Sequence, residues 1–162
     1  MRLYLLQTGE ALPRQGRGND FERPLSDKGR MSVEKLASLL STVNLNATRV
    51  IHSGNVRAQQ TLELLHWAAT TSRIALEARS GLNPEDPVEP WVAEIGTWEE
   101  PAVIVGHQPF LGRLVSSLVC GRQEPPAVLF VPGTAVCMEK GEAGWSVAWA
   151  IPPSLSSGVG RY

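Results

Sequence analysis

Residues 102–109 read AVIVGHQP. Ala102-Val103-Ile104-Val105 is an unbroken apolar run with no polar alternation, as expected of a strand buried on both faces. It stops at Gly106-His107-Gln108-Pro109, a polar turn. Beyond the turn, Leu111, Leu114, Val115 and Leu118 recur in helical step. A doubly buried strand feeding an amphipathic helix is the building unit of α/β proteins, in which helices cover both faces of a mostly parallel sheet.

The same unit recurs on either side. Residues 2–6 (RLYLL) read as a short buried strand stopped by Gln7-Thr8-Gly9. Residues 11–24, rich in Arg, Gly, Asn and Pro, have no period and read as a loop. Ser26 has the place of a helix N-cap, and Val33, Leu36, Ala37 and Leu40 mark the inner face of a helix ending near Thr42. Arg49-Val50-Ile51-His52 is a second strand. Ser53-Gly54-Asn55 turns sharply into a helix with inner face Ala58, Leu62, Leu65 and Ala69. Ile74, Leu76 and Ala78 alternate as a third strand does. After a Pro-rich loop from Gly81 to Pro90, Trp91, Val92 and Ile95 suit one face of a short helix. Residues 134–139 and 145–151, joined across Gly141–Gly144, have the pattern of a hairpin. The expected fold is therefore an α/β three-layer sandwich: a mostly parallel central sheet flanked by helices, with a C-terminal β-hairpin. One domain is expected over residues 1–152, followed by a loose tail over 153–162. Ligands of such sheets sit outside the carboxyl ends of the strands. Three polar turns fall there: Gln7-Thr8-Gly9, Ser53 to Arg57, and Gly106-His107.

Composition narrows the function classes. The chain has 162 residues, with 15 Lys+Arg against 16 Asp+Glu and a net charge of −1. That balance speaks against a partner held by bulk positive charge, and no nucleic-acid feature stands out. With 43% hydrophobic and 19% charged residues, the chain can build a core. Cys120 and Cys137 make neither a disulfide framework nor a C-x-x-C metal pair. The N-terminal apolar stretch is too short for a signal peptide, and no run reaches a membrane span. A cytoplasmic protein without metal, cofactor or membrane partner is expected. There are three histidines, His52, His66 and His107.

Four segments, LYLLQTGEA (3–11), RPLSDKG (23–29), SGNVRAQQTLE (53–63) and VGHQP (105–109), resemble the histidine phosphatase superfamily, and within it the SixA-type phosphohistidine phosphatases. The resemblance spans nearly the whole chain. It implies that Arg57, behind Ser53 in the first turn of its helix, binds phosphate. Its guanidinium fork and the helix N-terminus both suit an anion. It implies that His107 is the family's second histidine, in contact with the phosphoryl oxygens. Arg23 corresponds to a basic residue that reaches the phosphate or substrate in small members. Glu85 and Asp86, in the loop after the third strand, are the candidates for an acid. The family's first motif is Arg-His-Gly, whose arginine binds phosphate and whose histidine accepts the phosphoryl group. Here the corresponding residues are Gln7-Thr8-Gly9.

That departure has chemical weight. Neutral imidazole is a good nucleophile near pH 7 and forms a labile N–P bond. A threonine hydroxyl needs a base to attack, and its phosphate ester is stable. Exchanging Arg for Gln7 removes a charge-assisted hydrogen bond, about 1.5–3 kcal/mol or roughly ten- to a hundredfold in affinity. Gln7 retains one amide donor. His52 and His66 are the other histidines available to replace the missing nucleophile. The sequence thus leads to a SixA-like homologue impaired in catalysis, with a half-site for phosphate or a phosphohistidine-bearing protein. The alternatives are a phosphatase working by water attack and a non-catalytic scaffold that binds a partner.

Overall fold

The computed structural model describes residues 1–65 and 74–156. His66, Ala69 and the tail beyond residue 156 lie outside the described residues. The strands are β1 (Arg2–Gln7), β2 (Arg49–His52), β3 (Ala75–Ala78), β4 (Ala102–Gly106), β5 (Ala135–Gly141) and β6 (Gly144–Ile151). The helices are α1 (Asp27–Leu40), α2 (Val56–Leu65), α3 (Glu89–Gly96), α4 (Phe110–Cys120) and the single turn α5 (Pro153–Ser156).

The six strands form one sheet in the order β3-β2-β4-β1-β5-β6. The first four are parallel, and β5 and β6 are antiparallel. The mixed sheet and the hairpin are those expected. β4 is buried along its whole length between β1 and β2. The strand period of two sends successive residues into two cores. Tyr4, Leu6, Val103 and Val105 pack with Val33, Leu36 and Leu40 of α1 and Ala58, Leu62 and Leu65 of α2. Leu3, Leu5, Ile51 and Ile104 pack with Trp91 and Ile95 of α3 and Phe110, Leu111 and Leu114 of α4. These are the three layers.

Two local readings change. The alternation of Leu76 and Ala78 does not point either residue into a core: β3 is an edge strand, and Leu76 is 64% exposed. The loop 11–24 is more ordered than its lack of period suggests. Ala11 bridges Leu25, and Asp20–Glu22 make a 3-10 turn whose N-cap Asn19 accepts from the Phe21 amide. At the other end, α5 packs on α1 and buries Ser156, so the segment after residue 152 begins with a docked turn.

Candidate functional site

β1 and β4 run side by side, with Gln7 opposite Gly106. Past their carboxyl ends the two chains stay tied. The Thr8 amide donates to the Gly106 carbonyl at 3.1 Å, and the Thr8 carbonyl accepts from the Gly133 amide at 3.1 Å. Residues 8 and 107 are thereby held side by side at the carboxyl end of the two central strands. The next residue must be glycine. A Cβ at Gly9 would lie 2.8 Å from the Gly29 carbonyl oxygen and 2.9 Å from Val33 Cγ2. Gly29 in turn sits against the Glu10 backbone. Ser26 completes the seam: its Oγ accepts from the Gly29 amide at 3.0 Å and donates to the Glu10 carbonyl at 3.2 Å.

The resulting cleft, about 370 Å³, is lined by Gln7, Thr8, Gly9, Glu10 and Ala11 from the first strand end, Asp20 and Arg23 from the loop, Arg57, Pro84, His107, Gln108 and Pro132. Gln7, Thr8, Arg23, Arg57 and His107, chosen from sequence, are therefore brought together. Glu85 and Asp86 are not among the lining residues. Glu85 faces Arg113 at 3.3 Å, and the Asp86 carboxylate accepts from the Asn83 amide at 2.8 Å. Only their neighbour Pro84 reaches the cleft. His52 is also outside it, with Nδ1 accepting from the Gly54 amide at 3.2 Å.

His107 is buried, and burial, followed by the nearby Arg57 charge, pushes its pKa down to about 4. Its ring is neutral at pH 7. Its Nε2 lies 2.7 Å from Ser53 Oγ and 3.1 Å from Asn55 Nδ2. The turn that opens α2 therefore positions both Arg57 and the histidine.

Arg57 donates through Nη1 to the Asp20 carbonyl at 2.8 Å and through Nη2 to Asp20 Oδ2 at 3.1 Å. Arg23 donates through Nη1 to Asp20 Oδ1 at 2.8 Å and through Nε to the Leu12 carbonyl at 2.9 Å. Asp20 thus bridges the two guanidiniums. The hydrogen bond from Arg23, opposed by burial and helped by the charge and hydrogen bond of Arg57, holds its carboxyl below the usual carboxylate range. Among the described residues, Gln7 Oε1 and Gln108 Nε2, an acceptor and a donor, are buried without hydrogen-bond partners, as is Asn55 Oδ1, whereas buried polar atoms are normally paired. Thr8 is 4% exposed and has no hydrogen bond to a base among the described residues. No group of three His, Cys, Asp or Glu among those residues is placed to hold a metal. Sequence reasoning missed Asp20, Gln108 and Asn55. The three-residue spacing of Asp20 and Arg23 was the available signal for the first.

No family model matches the chain. The structure of the protein histidine phosphatase SixA complexed with tungstate superposes with a TM-score of 0.80 at 23% identity, covering 95% of this chain and 98% of that one. A SixA-named protein of Agrobacterium tumefaciens gives 0.78 at 18% identity, over 94% and 97%. The alpha-ribazole phosphatase of Shigella flexneri gives 0.62 at 17%, over 91% and 94%. The fold is that of the histidine phosphatases. At the level of sequence, the chain is 31% identical over 126 residues to an uncharacterized protein of Picosynechococcus sp., covering 75% of each. The two belong to one protein family.

Proposed function

We propose that this protein is a SixA-like homologue whose cleft binds a phosphoryl group, free or on a phosphohistidine-bearing protein, and in which turnover through residue 8 is lost. One observation carries the reading. Arg23, Arg57 and His107 converge on a single cleft, while the residue at the nucleophile's position is a buried threonine with no base bonded to it among the described residues. Guanidinium forks match phosphoryl oxygens, and a neutral His107 ring lines the cleft without adding charge. Thr8 lacks the activation that a hydroxyl nucleophile needs. His107 does not supply it, because its Nε2 is taken by Ser53 and Asn55.

The test is calorimetric titration with a phosphohistidine peptide, together with a phosphate-release assay. Binding that Arg57→Ala weakens by at least tenfold, with no release above the blank, is the expected result. Folded protein that ignores millimolar peptide sinks the binding half of the proposal. Release that Arg57→Ala abolishes sinks the other half and favours attack by water.

A further inference from the structure

We propose that the Asp20 carboxylate is an intramolecular anion seated on the two arginines of the cleft, so that a ligand bridging Arg57 Nη2 and Arg23 Nη1 must displace it and carboxylate ligands gain nothing by doing so. The inference rests on the phosphoryl-binding reading of the cleft and adds its selectivity.

Each guanidinium has two kinds of partner. Arg57 Nη1 is held by the Asp20 backbone carbonyl, and Arg23 Nε by the Leu12 carbonyl. These contacts fix the planes of the two forks. A second nitrogen of each, Arg57 Nη2 and Arg23 Nη1, points to the Asp20 carboxylate, one to each oxygen. Swinging that carboxylate away therefore frees one N–H direction on each arginine and leaves both side chains aligned.

Exposure decides which partner moves. The Arg57 side chain is 8% exposed and cannot leave without rebuilding the cleft, whereas the Asp20 side chain is 46% exposed and can pass into water while still charged. The side chain that donates is fixed, and the one that accepts is free to turn.

Charge sets what can replace it. The charged residues of the lining are Glu10, Asp20, Arg23 and Arg57, with Glu10 paired to Lys28 at 3.2 Å. With Asp20 in place, two guanidiniums share one negative charge. A carboxylate ligand exchanges like for like and must also overcome the loss of its own freedom. A phosphoryl group brings three oxygens and a second negative charge, enough for both forks. Asp20 thereby separates phosphoryl ligands from carboxylates of similar shape.

The experiment compares inorganic phosphate and acetate on the wild type, Asp20→Asn and Arg57→Ala, with affinity read by calorimetry and fold by circular dichroism. Asparagine keeps an oxygen for one arginine and removes the charge. The expected result is that D20N binds phosphate at least tenfold tighter and acquires measurable acetate binding, while R57A loses phosphate binding and acquires none for acetate. Phosphate binding by the wild type that R57A abolishes and D20N leaves unchanged or weakens overturns the Asp20 proposal alone. It would make the residue a mere brace for the arginines. No phosphate binding by either the wild type or D20N overturns the anion-site reading and this inference with it. If D20N does not fold, the wild type decides by carbon NMR of the Asp20 carboxyl. Saturating phosphate must raise its pKa toward the ordinary carboxylate value, and an unmoved titration overturns the proposal.

Discussion

A side chain at position 8 emerges from the end of β1 beside His107, where its chemistry depends on what can remove or receive a proton. On the proposed reading, the missing parts are an imidazole at this position and a guanidinium one residue earlier. The Gln7→Arg, Thr8→His double variant therefore gains phosphate release from a phosphohistidine peptide, measured as product against time. A folded but inert double variant shows that the rest of the cleft is also unfit for turnover. Gly9 is the stricter neighbour. Its missing Cβ would press on the backbone oxygen of Gly29, which has no flexible end to move aside. Gly9→Ala is expected to cost about 1–3 kcal/mol in urea unfolding, as overpacking does. An unchanged midpoint refutes the close-approach account. Most of these residues were legible because strand ends can be located from apolar runs. Asp20 was not, since its role comes from a fold-back that brings it to Arg57, thirty-seven positions along the chain. Asn55 was hidden for a similar reason: it looks like an ordinary turn residue until His107 arrives beside it.

Elements announce themselves by period and by caps. α1 is a case in which both signals agree with the structure: Val33, Leu36, Ala37 and Leu40 are buried, and Ser26 is the N-cap. That cap also fastens the loop after β1, because the same hydroxyl meets the Glu10 carbonyl. Ser26→Ala is expected to lower stability by about 1 kcal/mol, a fall of roughly 2–4 °C in Tm. Its phosphate affinity should also fall if the seam at Glu10 holds the cleft in shape. Thermal melts and a phosphate titration check the two parts separately. β3 shows where period misleads. Alternation over Ile74, Leu76 and Ala78 is real, but it reports on packing only when a helix lies over that part of the sheet, and no sequence signal says that the strand is at the edge.

For the molecule as a whole, the three layers and the hairpin could be read in advance, since buried strands, amphipathic helices and a Gly-flanked turn leave local marks. The strand order could not, because it depends on which edges meet across long separations. Acid should expose one global consequence of the buried histidine. The folded-state pKa of His107 lies at about 4, below the ordinary 6.5, so the unfolded chain takes up its proton first. Stability from this residue is complete above pH 6.5 and is lost as pH falls from 6.5 toward 4, on the order of 3 kcal/mol in all. His52, also lowered by burial, acts in the same direction. Urea unfolding at a series of pH values checks this. His107→Gln should flatten most of that slope, and an equally steep variant refutes the assignment.

The position of β1 bears on how the protein is made. Leu3 pairs with Ala102 on one side and Met138 on the other, and β1 has no earlier neighbour in the sheet. At about 5–20 residues per second, a ribosome needs roughly 5–20 s to reach the first of these partners after β1 itself is made. For that interval Leu3, Tyr4, Leu5 and Leu6 form a sticky strand with both edges open. The nascent chain is thus most exposed to aggregation, and most in need of a holding chaperone, at the strand that later becomes one of its best-covered parts.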